Sequence, residues 1–250
     1  MADKILLGIL QVFAILNCYF GMKYLSSFDY SWFLYVYDVL WFFLGFISSL
    51  LGLTGMVFSK VFGEQDSKTQ WALQHHYLFA WLAIVVGYPC IVTHSWMAYH
   101  QTPIAHVHAA LSAIPLVAWM KRKNVMIAKS TIMATAMAFL SHFYICYLAG
   151  DSWGVVAAAS MGLNLVSLSV PIRYSFWDIT AREAFVAGVG FSTFIFTMTV
   201  GRILKNEEQV EEVSPKVKMG SFLSSLWGFA FGGDVALENS HQCQDGKDCL

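Results

Sequence analysis

Asp38, His94, His108 and His142 are the residues of this chain with the most chemistry to explain. Each stands inside an apolar run, where an ionised group has no water to solvate it. Three imidazoles and a carboxylate form a donor set for Zn²⁺ or iron. Two imidazoles on facing helices can ligate a haem. An Asp–His pair can instead relay protons, because the imidazole titrates near neutral pH. The plain alternative is that each ring hydrogen-bonds a carbonyl or hydroxyl close to a helix end. These residues are therefore candidates for one polar pocket, with His94, His108 and His142 as its candidate metal ligands. No cofactor is identified by a motif.

Further imidazoles surround them. The stretch HSWMAYHQTPIAHVH, residues 94 to 108, carries His94, His100, His106 and His108. His106 and His108 are two apart, so on a helix at most one of them faces a pocket. His75 and His76 follow Trp71 at the start of an apolar run and read as an interfacial anchor. His241 falls in a polar tail and reads as solvated.

The elements that must position these residues follow from composition. Only 12% of the 250 residues are charged and 57% are hydrophobic. A soluble domain carries about 25% charged residues, so the surroundings of this chain must themselves be apolar. Several uncharged windows reach the roughly 20 residues that a helix needs to cross a bilayer. Long runs that are apolar on every side favour helices over a barrel of alternating strands. The fold class is all-α, a polytopic membrane bundle of seven transmembrane helices, with six as the alternative.

The runs are Ile5–Leu25, Trp32–Phe58, Tyr77–Ala98, Pro103–Trp119, Val125–Leu148, Gly154–Pro171 and Ala184–Leu204. The first reads as an uncleaved helix, since it lacks a small-residue cleavage site. SKVFGEQDSKTQ reads as a polar link before the third, and KRKN separates the fourth from the fifth. The organisation is a transmembrane domain, 1–205, followed by a polar tail, 206–250. EEQVEEVSPK is polar enough to read as mobile. Residues 219–232 put several apolar side chains on one helical face, which suits an interfacial segment.

At about 1.5 Å per residue, Asp38, His94, His108 and His142 fall roughly 6–10 Å below one and the same surface. His100 and His106 belong to the rim above them. Asn17 and Asn164 read as interhelical hydrogen-bonding residues, and GDSWGVVAAASMG and AFVAGVGFS as close-packing helix faces. Cys18, Cys90 and Cys146 read as small hydrophobes. Cys243 and Cys249 form a disulfide in an oxidising compartment, or stay thiols in the cytosol.

Lys4, Lys60, Lys68, Lys121, Arg122, Lys123, Arg173 and Arg182 share one side of a seven-span chain, which places the N-terminus in the cytoplasm. Arg202 and Lys205, at the exit of the last run, oppose this orientation. A net charge of −1 and the lack of a basic stripe give no case for nucleic acid. A retinal protein needs a lysine inside its last span, and AFVAGVGFSTFIFTMTVGRIL has none. The expectation is a multi-pass subunit of a membrane complex, in contact with lipid and a protein partner, in the endoplasmic reticulum or plasma membrane. The alternatives are a metal- or haem-binding membrane enzyme or redox protein built on the histidines, and a small-solute transporter using Asp38.

The basic-residue bias predicts a cytoplasmic loop at Lys121–Lys123. In the Lys123→Cys protein, a membrane-impermeant maleimide applied to intact cells leaves this loop unlabelled. Ready labelling there inverts the orientation.

Overall fold

Two prolines and two polar caps decide where the apolar runs bend and stop. The computed structural model describes residues 2–28, 32–100, 104–169 and 181–213, and all regular structure among them is helical. The elements are α1 (Ala2–Leu25), α2 (Trp32–Phe62), α3 (Ser67–Leu82), a π turn (Ala83–Gly87), α4 (Tyr88–His100), α5 (Ile104–Leu111), α6 (Ala113–Met120), α7 (Asn124–Leu148), α8 (Ser152–Ser169) and α9 (Ala181–Val213). Residues 219–232, His241, Cys243 and Cys249 lie outside the described residues.

Pro89 brings no N–H to its helix, and its ring crowds the carbonyl four residues back, that of Val85. The π turn at Ala83–Gly87 sits at this point and keeps α3 and α4 in one rod. Pro115 acts in the same way on the carbonyl of Leu111, where α5 ends, and α6 starts after Ser112.

The link read as SKVFGEQDSKTQ is far shorter than its polarity implies, because helix continues through most of it. Only residues 63–66 interrupt the helices. Gly63 takes φ +93° there, and Asp66 caps α3 by accepting from the Lys68 N–H at 2.9 Å. EEQVEEV is likewise helical rather than irregular, since α9 runs to Val213. Glutamate and glutamine are good helix formers, and they extend a helix already nucleated upstream. The packed helices belong to one compact unit that ends at Gln209.

Within this unit the described helices make seven rods, α3–α4 and α5–α6 each counting as one. Rods that follow one another along the chain alternate in direction. Gly8 lies against Met56 and Gly21 against Phe42, so α1 and α2 are antiparallel. Ser48 meets His76 and Asp38 meets His94, so α2 opposes α3–α4. Trp81 bonds Thr131 and Trp96 bonds Ser141, so α7 runs parallel to α3–α4. Asn17 Nδ2 donates to the Gly190 carbonyl at 3.3 Å and Tyr24 packs on Gly201, so α9 runs parallel to α1. Asn164 donates to Ser192 Oγ at 2.9 Å, and Ser160 bonds the same hydroxyl. Those contacts join α8 to α9 through small residues.

Among the described residues, four stretches are long and apolar enough to cross a membrane: Ile5–Leu25, Tyr35–Phe62, Ser67–Tyr99 and Asn124–Leu148. The shorter helical stretch Ala105–Met120 is also apolar. Trp41, Phe42, Tyr88, Ile91, Met161 and Phe196 fill the core between the rods.

Gly87 sets the approach of α2 to the π turn. A Cβ at this position falls 2.9 Å from the Trp41 Cα, which is backbone and cannot step aside. Gly8 offers ordinary room, with Met56 Cε at 3.5 Å. Gly87→Ala is therefore expected to cost about 1–3 kcal/mol, and Gly8→Ala to be neutral or mildly stabilising. Thermal unfolding of the detergent-solubilised variants checks the contrast.

Candidate functional site

Three consecutive residues of α4 face three different neighbours, because each helical residue turns about 100° from the last. His94 faces α2, Ser95 and Trp96 face α7, and Trp96 also stacks on the His108 ring of α5 with centroids 6.2 Å apart.

His94 makes the shortest of these contacts. Its Nδ1 lies 2.6 Å from Asp38 Oδ1, and the two side chains are 1% and 0% exposed. The ring N–H donates and the carboxylate accepts. Such a short contact fits a charge-assisted hydrogen bond. His142 is wholly buried on α7. Its Nδ1 is 3.4 Å from Tyr88 Oη and its Nε2 is 3.5 Å from Ser95 Oγ, both at the long limit of hydrogen bonding. The ring also packs edge-on to Tyr88 and beside Phe196. Trp41 closes this group against Phe196 and Tyr88, and its indole donates to Thr193 at 3.3 Å. His108 Nε2 lies 2.8 Å from Ser141 Oγ, and the same hydroxyl accepts from the Trp96 indole at 2.7 Å.

The four candidate residues are thus all buried, and they are distributed over linked pairs. Asp38 meets His94. His142 is held by Tyr88 and Ser95, and His108 by Ser141. Adjacent positions connect them, since His94 neighbours Ser95 and Ser141 neighbours His142 along the chain. For a metal, the three rings would have to turn toward one point. Among the described residues no group of three His, Cys, Asp or Glu side chains is placed to hold a metal ion.

Of the remaining imidazoles, His106 is half-buried and His108 buried, in keeping with their spacing. His75 is half-buried, bonds the Trp71 carbonyl at 2.8 Å and stacks on the Trp71 ring. His76 departs from the reading as an interfacial anchor. It is buried, and its Nδ1 donates to the Ser48 carbonyl at 2.8 Å. Adjacent residues on a helix point about 100° apart, and that turn separates buried His76 from half-buried His75.

Asp151 also escapes a reading based on apolar runs, because it lies in the turn between α7 and α8. It is buried, accepts from Tyr99 Oη at 2.9 Å, and stands 3.8 Å from Arg202 Nη1. Its other contact, from the Trp153 N–H at 3.2 Å, caps α8. The sequence signal was present in the AGDSW turn, where an Asp precedes a helix start.

Comparison of the chain with protein-family models, curated proteins and solved structures finds no match.

Removing one member of a buried pair strands the other, at a cost of about 3–5 kcal/mol, while removing both costs much less. Asp38→Ala and His94→Ala are each expected to destabilise strongly, and the double variant to be less destabilised than the two single losses added together. Asp38 and His142 belong to different pairs, so the Asp38→Ala/His142→Ala combination should be closer to additive. Unfolding of these four variants and of His142→Ala in detergent measures both couplings.

Proposed function

We propose that this chain is a multi-pass membrane protein that moves protons, alone or together with a small solute, through the Asp38–His94 pair. The observation that carries this reading is the burial of a carboxylate and an imidazole in direct contact within an apolar bundle. An ionised Asp in hydrocarbon costs roughly 2.5–3.5 kcal/mol on insertion scales, and such residues commonly mark ion or proton pathways. A short Asp–His hydrogen bond can hold one proton and release it with little rearrangement. Tyr88, Ser95 and His142 supply further hydroxyl and ring nitrogens on the adjoining face of α4.

On this reading the seven rods are seven spans, with the N-terminus in the cytoplasm. Arg202, which counts against that orientation by charge alone, is met by Asp151 at the α7–α8 turn. The membrane is the endoplasmic reticulum or the plasma membrane.

A second reading, as the subunit of a membrane complex, draws support from two apolar stripes. Ile5, Ile9, Val12, Leu16 and Phe20 are exposed along α1, and Met133, Met137, Leu140, Tyr144 and Tyr147 along α7. Such faces suit lipid or a transmembrane partner. Both readings share the helical bundle and differ in what Asp38 is for.

Proteoliposomes separate them. With pyranine inside and a potassium–valinomycin potential imposed, the wild-type protein is expected to change lumenal pH faster than Asp38→Asn or empty vesicles. Equal rates for wild type and Asp38→Asn overturn the proton-moving function.

A further inference from the structure

A second polar site lies away from the Asp38–His94 pair, where α1, α2 and α3 meet. Its centre is Gln11, whose side chain is 1% exposed. Neither amide atom of Gln11, Nε2 or Oε1, has a hydrogen-bond partner among the described residues. A primary amide carries two N–H donors and a carbonyl acceptor, and leaving all of them unmet in an apolar interior is costly.

Gln11 borders a cavity of about 30 Å³. Ser48, Ser49 and His76 supply its other polar lining, and Ala80 and Ala83 leave the room. One water needs roughly 10–15 Å³ by this measure, so the space suits about two. Most of the lining surface is apolar, and its polar side chains are those of Gln11, Ser48, Ser49, His76 and Trp41. The His76 N–H at Nδ1 is directed to the Ser48 carbonyl, and the Ser48 hydroxyl donates to the His76 carbonyl at 3.1 Å. That fixes the orientation of the ring at the cavity wall. Gly52 lets the amide and the imidazole come together, since a Cβ there falls 2.7 Å from Gln11 Nε2 and 3.0 Å from His76 Nδ1.

We propose that this cavity is a built hydration site, binding one or two water molecules between the Gln11 amide and the wall formed by Ser49 and His76. Water fits because it both donates and accepts, as the amide requires, and because the volume admits little else. The site reaches Trp41, which lies one helical turn along α2 from Asp38. It therefore brings water into the bundle below the Asp38–His94 pair. The hydration site stands on its own geometry and does not depend on proton movement through that pair.

Water-edited solid-state NMR of the full chain in lipid vesicles tests it, with glutamine and histidine carbons labelled. Gln11 Cδ and the His76 ring are expected to receive water magnetisation at a rate comparable to the half-buried His75 ring. In Ala83→Leu, whose larger side chain fills the cavity, transfer to Gln11 is lost while His75 is unchanged. Should that variant fail to fold, Gln11→Leu removes the amide that holds the water, and transfer to His76 is then lost instead. Wild-type Gln11 receiving no more water magnetisation than the buried Phe42 ring, labelled in a separate sample, overturns the proposal. So does transfer that persists in Ala83→Leu.

Discussion

Burying the Asp38 carboxylate demands a donor within hydrogen-bond reach, and His94 Nδ1 at 2.6 Å meets that demand. The contact constrains more than two side chains. Asp38 stands near the start of α2 and His94 toward the end of the α3–α4 rod, so their bond sets the register of two antiparallel rods. The Ser48–His76 contacts repeat that register further along α2. Side-chain packing alone lets apolar helices slide, because one aliphatic face resembles the next. A buried polar pair does not, since a shift of one residue separates donor from acceptor.

The rest of the bundle is arranged around this fixed register. Gly87 brings the π turn against the Trp41 backbone, and the turn absorbs the lack of an N–H at Pro89. Beyond the turn, His94, Ser95 and Trp96 point to their separate partners. Trp41, Tyr88 and Phe196 fill the interior alongside His142 with edge and stacked ring contacts. Further out, Asp151 gathers the Tyr99 hydroxyl and the Arg202 guanidinium at the α7–α8 turn. Arg202 is 52% exposed, so this outer pair contributes little to stability.

Much of the helical organisation was legible in the sequence, because long apolar runs leave few alternatives to helix. That Asp38, His94, His108 and His142 come to one level of the bundle was legible too, since helical rise converts position into height. Azimuth was not. Matching heights cannot tell that Asp38 meets His94 while His142 turns to Tyr88 and Ser95. The polar link before α3 misled for a different reason: polarity marks exposure to water, and an exposed helix is as polar as a loop. His76 and Gln11 were hidden because other helices bury them. A single buried polar residue has no pattern of its own until those helices are packed. Asp151 was hidden because attention to apolar runs passes over the turns.

The central claim is that the buried Asp38–His94 pair exchanges a proton with the outside medium. Infrared difference spectroscopy across a pH titration tests this directly, in membranes containing the wild-type protein or Asp38→Asn. The account predicts a reversible conversion between a carboxylate and a protonated-acid carbonyl band in the wild type, shifted by ¹³C-aspartate and missing from Asp38→Asn. No Asp38-dependent band change over the range in which the protein stays folded contradicts it, and leaves the pair a structural tie between α2 and α4.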